Sequence, residues 1–132
     1  MGSFRASLSL GGKEFDVLYS DYAFSRDTDK KGMPSSNVYG GLVTLEIEST
    51  EDSSVVEAML NSQFKSIEAT ISFKKTEEDS NLKQVIVKNA YLVYYKETLD
   101  VNGDVPMKIR FTLSAEEIEI GNAIINNRWA KA

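Results

Sequence analysis

The 132-residue chain contains no histidine and no cysteine, and these two absences exclude more chemistry than any residue present supplies. Without imidazole or thiolate there is no Ser-His-Asp triad, no Cys-His pair and no ordinary zinc ligand set. Disulfides are excluded as well, so the fold must be held by packing. No stretch approaches the roughly 18 consecutive apolar residues that a membrane-spanning helix needs. The opening MGSFRASLSLGG alternates polar with apolar residues and lacks the continuous apolar core of a secretory signal. Synthesis and folding in the cytoplasm are therefore expected, with any export left to another machine.

Hydrophobic residues make up 42% of the chain, enough at this length for one domain, residues 1–132, to bury a single core. The 15 basic and 20 acidic side chains leave a net charge of -5, the wrong sign for following a phosphate backbone, so nucleic acid is not expected as a partner. The densest charge, in EIESTED and KKTEED, reads as solvated surface.

What remains for catalysis is carboxylate, lysine and tyrosine. The acidic residues mostly alternate outward along strands or crowd into loops, so a carboxylate-based hydrolase finds no support and no enzymatic activity is expected. Two stretches imitate calcium loops. In Asp27-Thr28-Asp29-Lys30-Lys31-Gly32 the fifth ligand position is Lys31 and the twelfth is Val38; in Asp100-Val101-Asn102-Gly103-Asp104 the sixth is Val105 and the twelfth Phe111. The first lacks oxygen ligands at the fifth and twelfth positions, the second lacks the Gly of the sharp turn and the twelfth ligand, and both read as turns. Gly11-Gly12 and Gly40-Gly41 lack the lysine and helix start of a phosphate loop. No cofactor and no metal site is expected.

Strands are written in period-2 alternation. From Val105 the odd positions run Val105, Met107, Ile109, Phe111, Leu113, Ala115, against Pro106, Lys108, Arg110, Thr112, Ser114, Glu116. Shorter runs are Phe4, Ala6, Leu8, Leu10; Val43, Leu45, Ile47; and Ile67, Ala69, Ile71, Phe73. A fifth strand carries Phe15, Val17 and Tyr19 on one face before the apolar phase moves to Tyr22 and Phe24, which predicts a β-bulge or bend. Between Leu82 and Lys96 both faces are apolar, Tyr91, Val93 and Tyr95 on one and Ala90, Leu92 and Tyr94 on the other. That pattern fits a central strand between two layers, or a strand half covered by a neighbouring subunit.

Ser54-Val55-Val56-Glu57 fits a capping box and predicts a helix to about Asn61 with Val55, Val56, Met59 and Leu60 on its apolar face. Asp52 or Ser53 would serve as alternative caps. The polar stretch Arg26–Tyr39 exceeds the usual connection length. Asn102-Gly103 between two alternating runs signals a hairpin. The terminal segment Gly121–Ala132 holds Ile124, Ile125 and Trp129 and is too short for its own core, so the Trp is expected to dock elsewhere. The chain reads as mainly β, a β-barrel or closed sandwich with one helix.

The run SSNVYGGLVTLEIESTEDSSVVEAMLN from Ser35 to Asn61, followed by ISFKK, NAYLVYYKE and PMKIRFTLSAEEIEIGNA, resembles the tube protein of type VI secretion systems, the Hcp or TssD family, in its shorter, compact branch. The resemblance is collinear over nearly the whole chain, though no single motif is diagnostic. It implies a β-barrel of two packed antiparallel sheets with one short lateral α-helix. It also implies hexameric rings stacked into a hollow tube, driven out with effector cargo by a contractile sheath beside a spike protein. By position, the family's extended loop falls on Arg26–Tyr39. Arg26, Asp27, Asp29, Lys30 and Lys31 are then expected to make ring-stacking contacts, against the alternative of a mobile solvated loop. Tyr91, Tyr94, Tyr95 and Trp129 are expected at a subunit interface. Competing readings are a tail-tube protein of a phage or another contractile injection system, and a monomeric barrel that binds a small apolar ligand.

Overall fold

The computed structural model describes residues 4–61, 65–75 and 81–129, with only the backbone of Asn81. The first residues of the N-terminal alternation, the acidic end of KKTEED and the last three residues of the tail lie outside them. The element order is β1 (Phe4–Leu10), β2 (Lys13–Tyr22), β3 (Leu42–Glu48), α1 (Ser54–Leu60), β4 (Ile67–Lys75), β5 (Asn81–Leu99), β6 (Met107–Ile120) and β7 (Ala123–Asn126).

Every strand pairing is antiparallel, in the order β3-β2-β1-β4-β5-β6-β7, and β3 also pairs with β6. That extra pairing closes β1 to β6 into a barrel and leaves β7 as an added strand along the end of β6. Strands β1, β2 and β3 form a meander, and β4 returns through α1 to lie beside β1, the 4-1-2-3 order of a Greek key. Gly11 and Gly12 join β1 to β2 with φ of 61° and 81°. Two successive left-handed residues are what a tight hairpin between twisted strands requires.

The alternating apolar residues meet inside. Leu8, Val43, Leu45, Ile71, Val85, Val87, Phe111 and Leu113 are fully buried, and no buried polar residue interrupts them among the described residues. Removing the Phe111 side chain would cost roughly 3–5 kcal/mol, because its site cannot collapse within a closed sheet. No helix of the described residues is long and apolar enough to cross a membrane.

The phase flip in the second strand is a bulge between Val17 and Tyr19. Before it Val17 faces the core; after it Tyr22 does, and Tyr19 turns outward under the Arg110 guanidinium, 4.5 Å from the ring centroid. The two-faced strand has the same cause in part. The β5–β6 register shifts between Leu92 and Tyr94, so Ala90 and Leu92 point inward before the shift and Tyr95 after it. The bulge accounts for Tyr95, while Val93 and Tyr94 leave the outer face of the strand apolar and exposed.

The helix corrects the expected cap. Ser53, not Ser54, is the N-cap residue, and it makes no side-chain bond to the helix amides. Its hydroxyl donates instead to Glu57 Oε2, while the Ser54 amide donates to Asp52 Oδ1 at 2.7 Å. The Asp52 carboxylate, held 2.7 Å from Lys13 Nζ, ties the helix entrance to the β1–β2 hairpin. Val55 is buried while Leu60 is exposed, so the apolar face is narrower than its spacing predicts. The Asn-Gly hairpin exists, with Asn102-Gly103 ending a turn in which Gly103 N donates to Asp100 O at 3.1 Å and Asp100 N to Pro106 O at 2.7 Å.

Candidate functional site

Between β2 and β3 the chain leaves the barrel as a hydrogen-bonded arm. Ser25 and Tyr39 exchange both backbone bonds, at 3.0 and 2.6 Å, and Thr28 bridges Pro34 further out. At the tip, Asp29 Oδ1 accepts the amides of Lys31 and Met33 at 2.9 and 3.0 Å, closing the turn that Gly32 completes. Nearer the barrel, Asp27 Oδ2 accepts the Tyr39 hydroxyl at 2.9 Å and its amide donates to Ser36 Oγ. Of the five residues singled out on this segment, Asp27 and Asp29 therefore build the arm, whereas Arg26, Lys30 and Lys31 are exposed cations displayed on it.

The C-terminal tail docks beside the base of the arm. After β7, Asn127 Nδ2 donates to the carbonyls of Gly40 at 2.9 Å and Ala115 at 3.2 Å. Glu116 anchors the tail again two residues later: its carboxylate accepts Asn89 Nδ2 at 2.8 Å and the Trp129 amide at 2.7 Å. The Trp129 ring comes to rest 6.0 Å from Tyr91, centroid to centroid. Two of the four aromatic residues expected at an interface are thus brought together, and the docking expected of Trp129 is on Tyr91.

Tyr91, Ser114 and Leu42 form a row across β5, β6 and β3 on the outer surface, with Leu42 58% exposed. Tyr94 is exposed and lies opposite Thr112, whose hydroxyl meets Thr44 at 3.1 Å. Beside them Ala23, Tyr39 and Leu42 line a shallow hollow of about 540 Å³. Tyr95 stands apart, packed against the core, where burial and then the Glu97 carboxylate push its phenol above the usual range. The core accounts for Tyr95, and Tyr91, Tyr94 and Trp129 are the members with surface to offer.

Below this band the outer face is ionic: Glu46 lies 3.4 Å from Lys108 and 3.7 Å from Arg110. On β5, the Lys88 ammonium is raised above its ordinary pKa chiefly by its hydrogen bond to Glu119. Among the described residues no three carboxylates converge as a metal ion would require.

One apolar feature had no clear signal in the sequence. Phe24 and Val38, at the two sides of the arm, face Ile120, Ala123 and Ile124 across a notch of about 270 Å³ floored by Ile118 and Ile125. The only hint was an apolar residue at either end of a polar loop.

A filled barrel bearing a structured arm, a docked tail and a band of exposed apolar residues is a structural subunit built for contact with other proteins. Residues 2–130 match the family described as Hemolysin coregulated protein Hcp (TssD), and the chain belongs to that family. It is a structural subunit of the secreted type VI tube. Among solved structures it resembles Hcp1 from Flavobacterium johnsoniae, with 33% identity and a TM-score of 0.89 over 93% of this chain and 99% of that one. The fold is shared with Hcp1 from Salmonella typhimurium at 11% identity, TM-score 0.68, over 89% of this chain and 86% of that one. It is shared too with a chain of the PVC extracellular contractile injection system sheath-tube complex, at 18% identity and TM-score 0.57, over 90% of this chain and 89% of that one. No curated protein matches the sequence.

Proposed function

We infer that the chain forms hexameric rings that stack into the inner tube of a type VI secretion system, a role with no catalytic step. Assembly takes place in the cytoplasm, inside a contractile sheath and against a spike protein, and contraction delivers the tube and its effectors outside the cell. The observation that carries this reading is the arm: a hydrogen-bonded ribbon that displays the exposed cations Arg26, Lys30 and Lys31, none of which is in a salt bridge among the described residues. Such a device serves a contact made with another copy. Tyr91, Tyr94 and Trp129 belong on this reading to the contacts that close the ring.

Charged groups that are exposed before assembly suit a contact that must form late and specifically, because they steer encounter more than they add affinity. A heterologous contact, in which different patches of one subunit meet, closes into a ring or propagates as a filament according to its rotation. A tube needs both kinds.

The experiment is secretion from the native host. The protein should accumulate in the medium of wild-type cells and remain inside cells that lack the sheath, as read by immunoblot. Export independent of the sheath would contradict the reading. A tail-tube subunit of another contractile injection system is the second reading, favoured by the PVC likeness in fold. It would be released without a membrane-anchoring complex. The monomeric ligand-binding barrel is disfavoured by the apolar side chains that fill the interior.

A further inference from the structure

The two ends of the barrel carry complementary features. At one end β2 gives way to the arm and β6 to β7, so the apolar notch between Phe24, Val38 and Ile124 opens there. At the opposite end Glu48 pairs with Lys108 and Leu99 with Met107, so the β5–β6 hairpin projects beyond the end of β3. Leu99, Val101 and Met107 on this hairpin are 65%, 75% and 42% exposed. Hydrophobic side chains at the tip of a projecting turn gain nothing for the isolated barrel.

We propose that the hairpin tip around Val101 of one copy seats in the notch beside the arm of a second copy stacked end to end. This rests on the tube reading above and names the surfaces that would join one ring to the next. Shape supports it, since a convex apolar tip faces a concave apolar hollow. Charge supports it as well: the hairpin carries Asp100 and Asp104, with Glu48 and Glu51 nearby, whereas the notch end carries Arg26, Lys30 and Lys31 on the arm and Arg128 past β7. Asp27 and Asp29 offset part of that charge, and the three cations Arg26, Lys30 and Lys31 against these two acids leave the five a net charge of +1. A contact between opposite ends of the same barrel is heterologous, and where its rotation does not close a ring it propagates along the axis. Apolar anchors in a pocket, ringed by complementary charge, are also the usual arrangement of a specific interface.

The absence of native cysteine makes the test clean. The double variant Val101→Cys/Ile124→Cys, treated at high protein concentration with a short bis-maleimide, should give a ladder of covalent species continuing well past six chains. Either single variant should give no ladder. Both positions are exposed, so the barrel should fold unchanged, as circular dichroism would verify. Absence of cross-links in a preparation whose native mass shows assembly would overturn the seat. Covalent products that stop at the size of one ring would overturn its axial placement. A protein that stays monomeric at every concentration would overturn the tube reading and this contact together.

Discussion

The side-chain amide of Asn127 donates to the carbonyl of Gly40 at 2.9 Å, joining the C-terminal tail to the start of β3 across 87 residues of sequence. The neighbouring Gly41, at φ 128°, lies so close that a Cβ built on it would stand 2.7 Å from Asn127 Nδ2 and 2.9 Å from Ala115 O. The base of the arm, the barrel wall and the tail are thereby fixed to one another.

Gly41→Ala should therefore destabilise the protein by roughly 1–3 kcal/mol, from backbone strain together with displacement of the tail. Urea denaturation followed by circular dichroism measures it. Asn127→Ala should cost about 1 kcal/mol by leaving two carbonyls to find other donors. A Gly41→Ala protein as stable as wild type would contradict the close approach.

Asp52 predicts the acid behaviour. Lys13 first, and then the Ser54 backbone, lower its pKa from 3.8 to about 2. A depressed folded-state pKa contributes stability that is present above pH 3.8 and is lost as pH falls towards 2. Asp52→Asn should flatten the stability profile across that window and leave the slope above about pH 5 unchanged. An identical acid profile in both proteins would contradict the ion pair.

The tyrosines of β5 should separate by role. Tyr95→Ala empties part of the core and should lower stability by roughly 2–4 kcal/mol. Tyr94→Glu should leave the barrel folded but yield monomers, since a charge on the ring contact would be buried without a partner. Size-exclusion chromatography and thermal melts of the same samples distinguish the two effects, and a Tyr94→Glu ring that survived would remove Tyr94 from the interface.

The arm should affect stacking and not folding. Deleting Asp29–Met33 removes the tip that Asp29 organises and should leave single rings intact while abolishing tubes. Negative-stain electron microscopy reads the outcome directly. Unaltered tubes would show that the tip makes no contact between rings.

The strands were legible in the sequence because alternation reports burial directly: Ile109, Phe111, Leu113 and Ala115 are buried as their spacing predicts, and only Met107 at the start of β6 departs from it by being exposed. Bulges are partly legible. The shift after Val17 leaves a visible phase change, whereas the one beside Val93 mimics a strand buried on both faces, because the shifted register puts Leu92 and Tyr95 on the same side. The helix cap misled because Ser54 has Glu57 at the spacing a capping box asks for, whereas Ser53 is the N-cap and its hydroxyl reaches the same Glu57 from one residue further away. Long-range placement was not legible at all. Nothing local pairs Asn127 with Gly40, or sets Phe24 and Val38 against Ile124. Within the arm, the sequence marked Asp27 and Asp29 as charges for a partner, while their geometry spends them on internal amides and a hydroxyl.

The central claim is that this barrel exists to assemble, and the native mass of the purified protein measured by light scattering, with negative-stain images of the same sample, tests it most directly. The account predicts a mass of six chains or a multiple of six, in rings with an open centre that stack at high concentration. A single-chain mass at all concentrations, with no rings in the images, would contradict it.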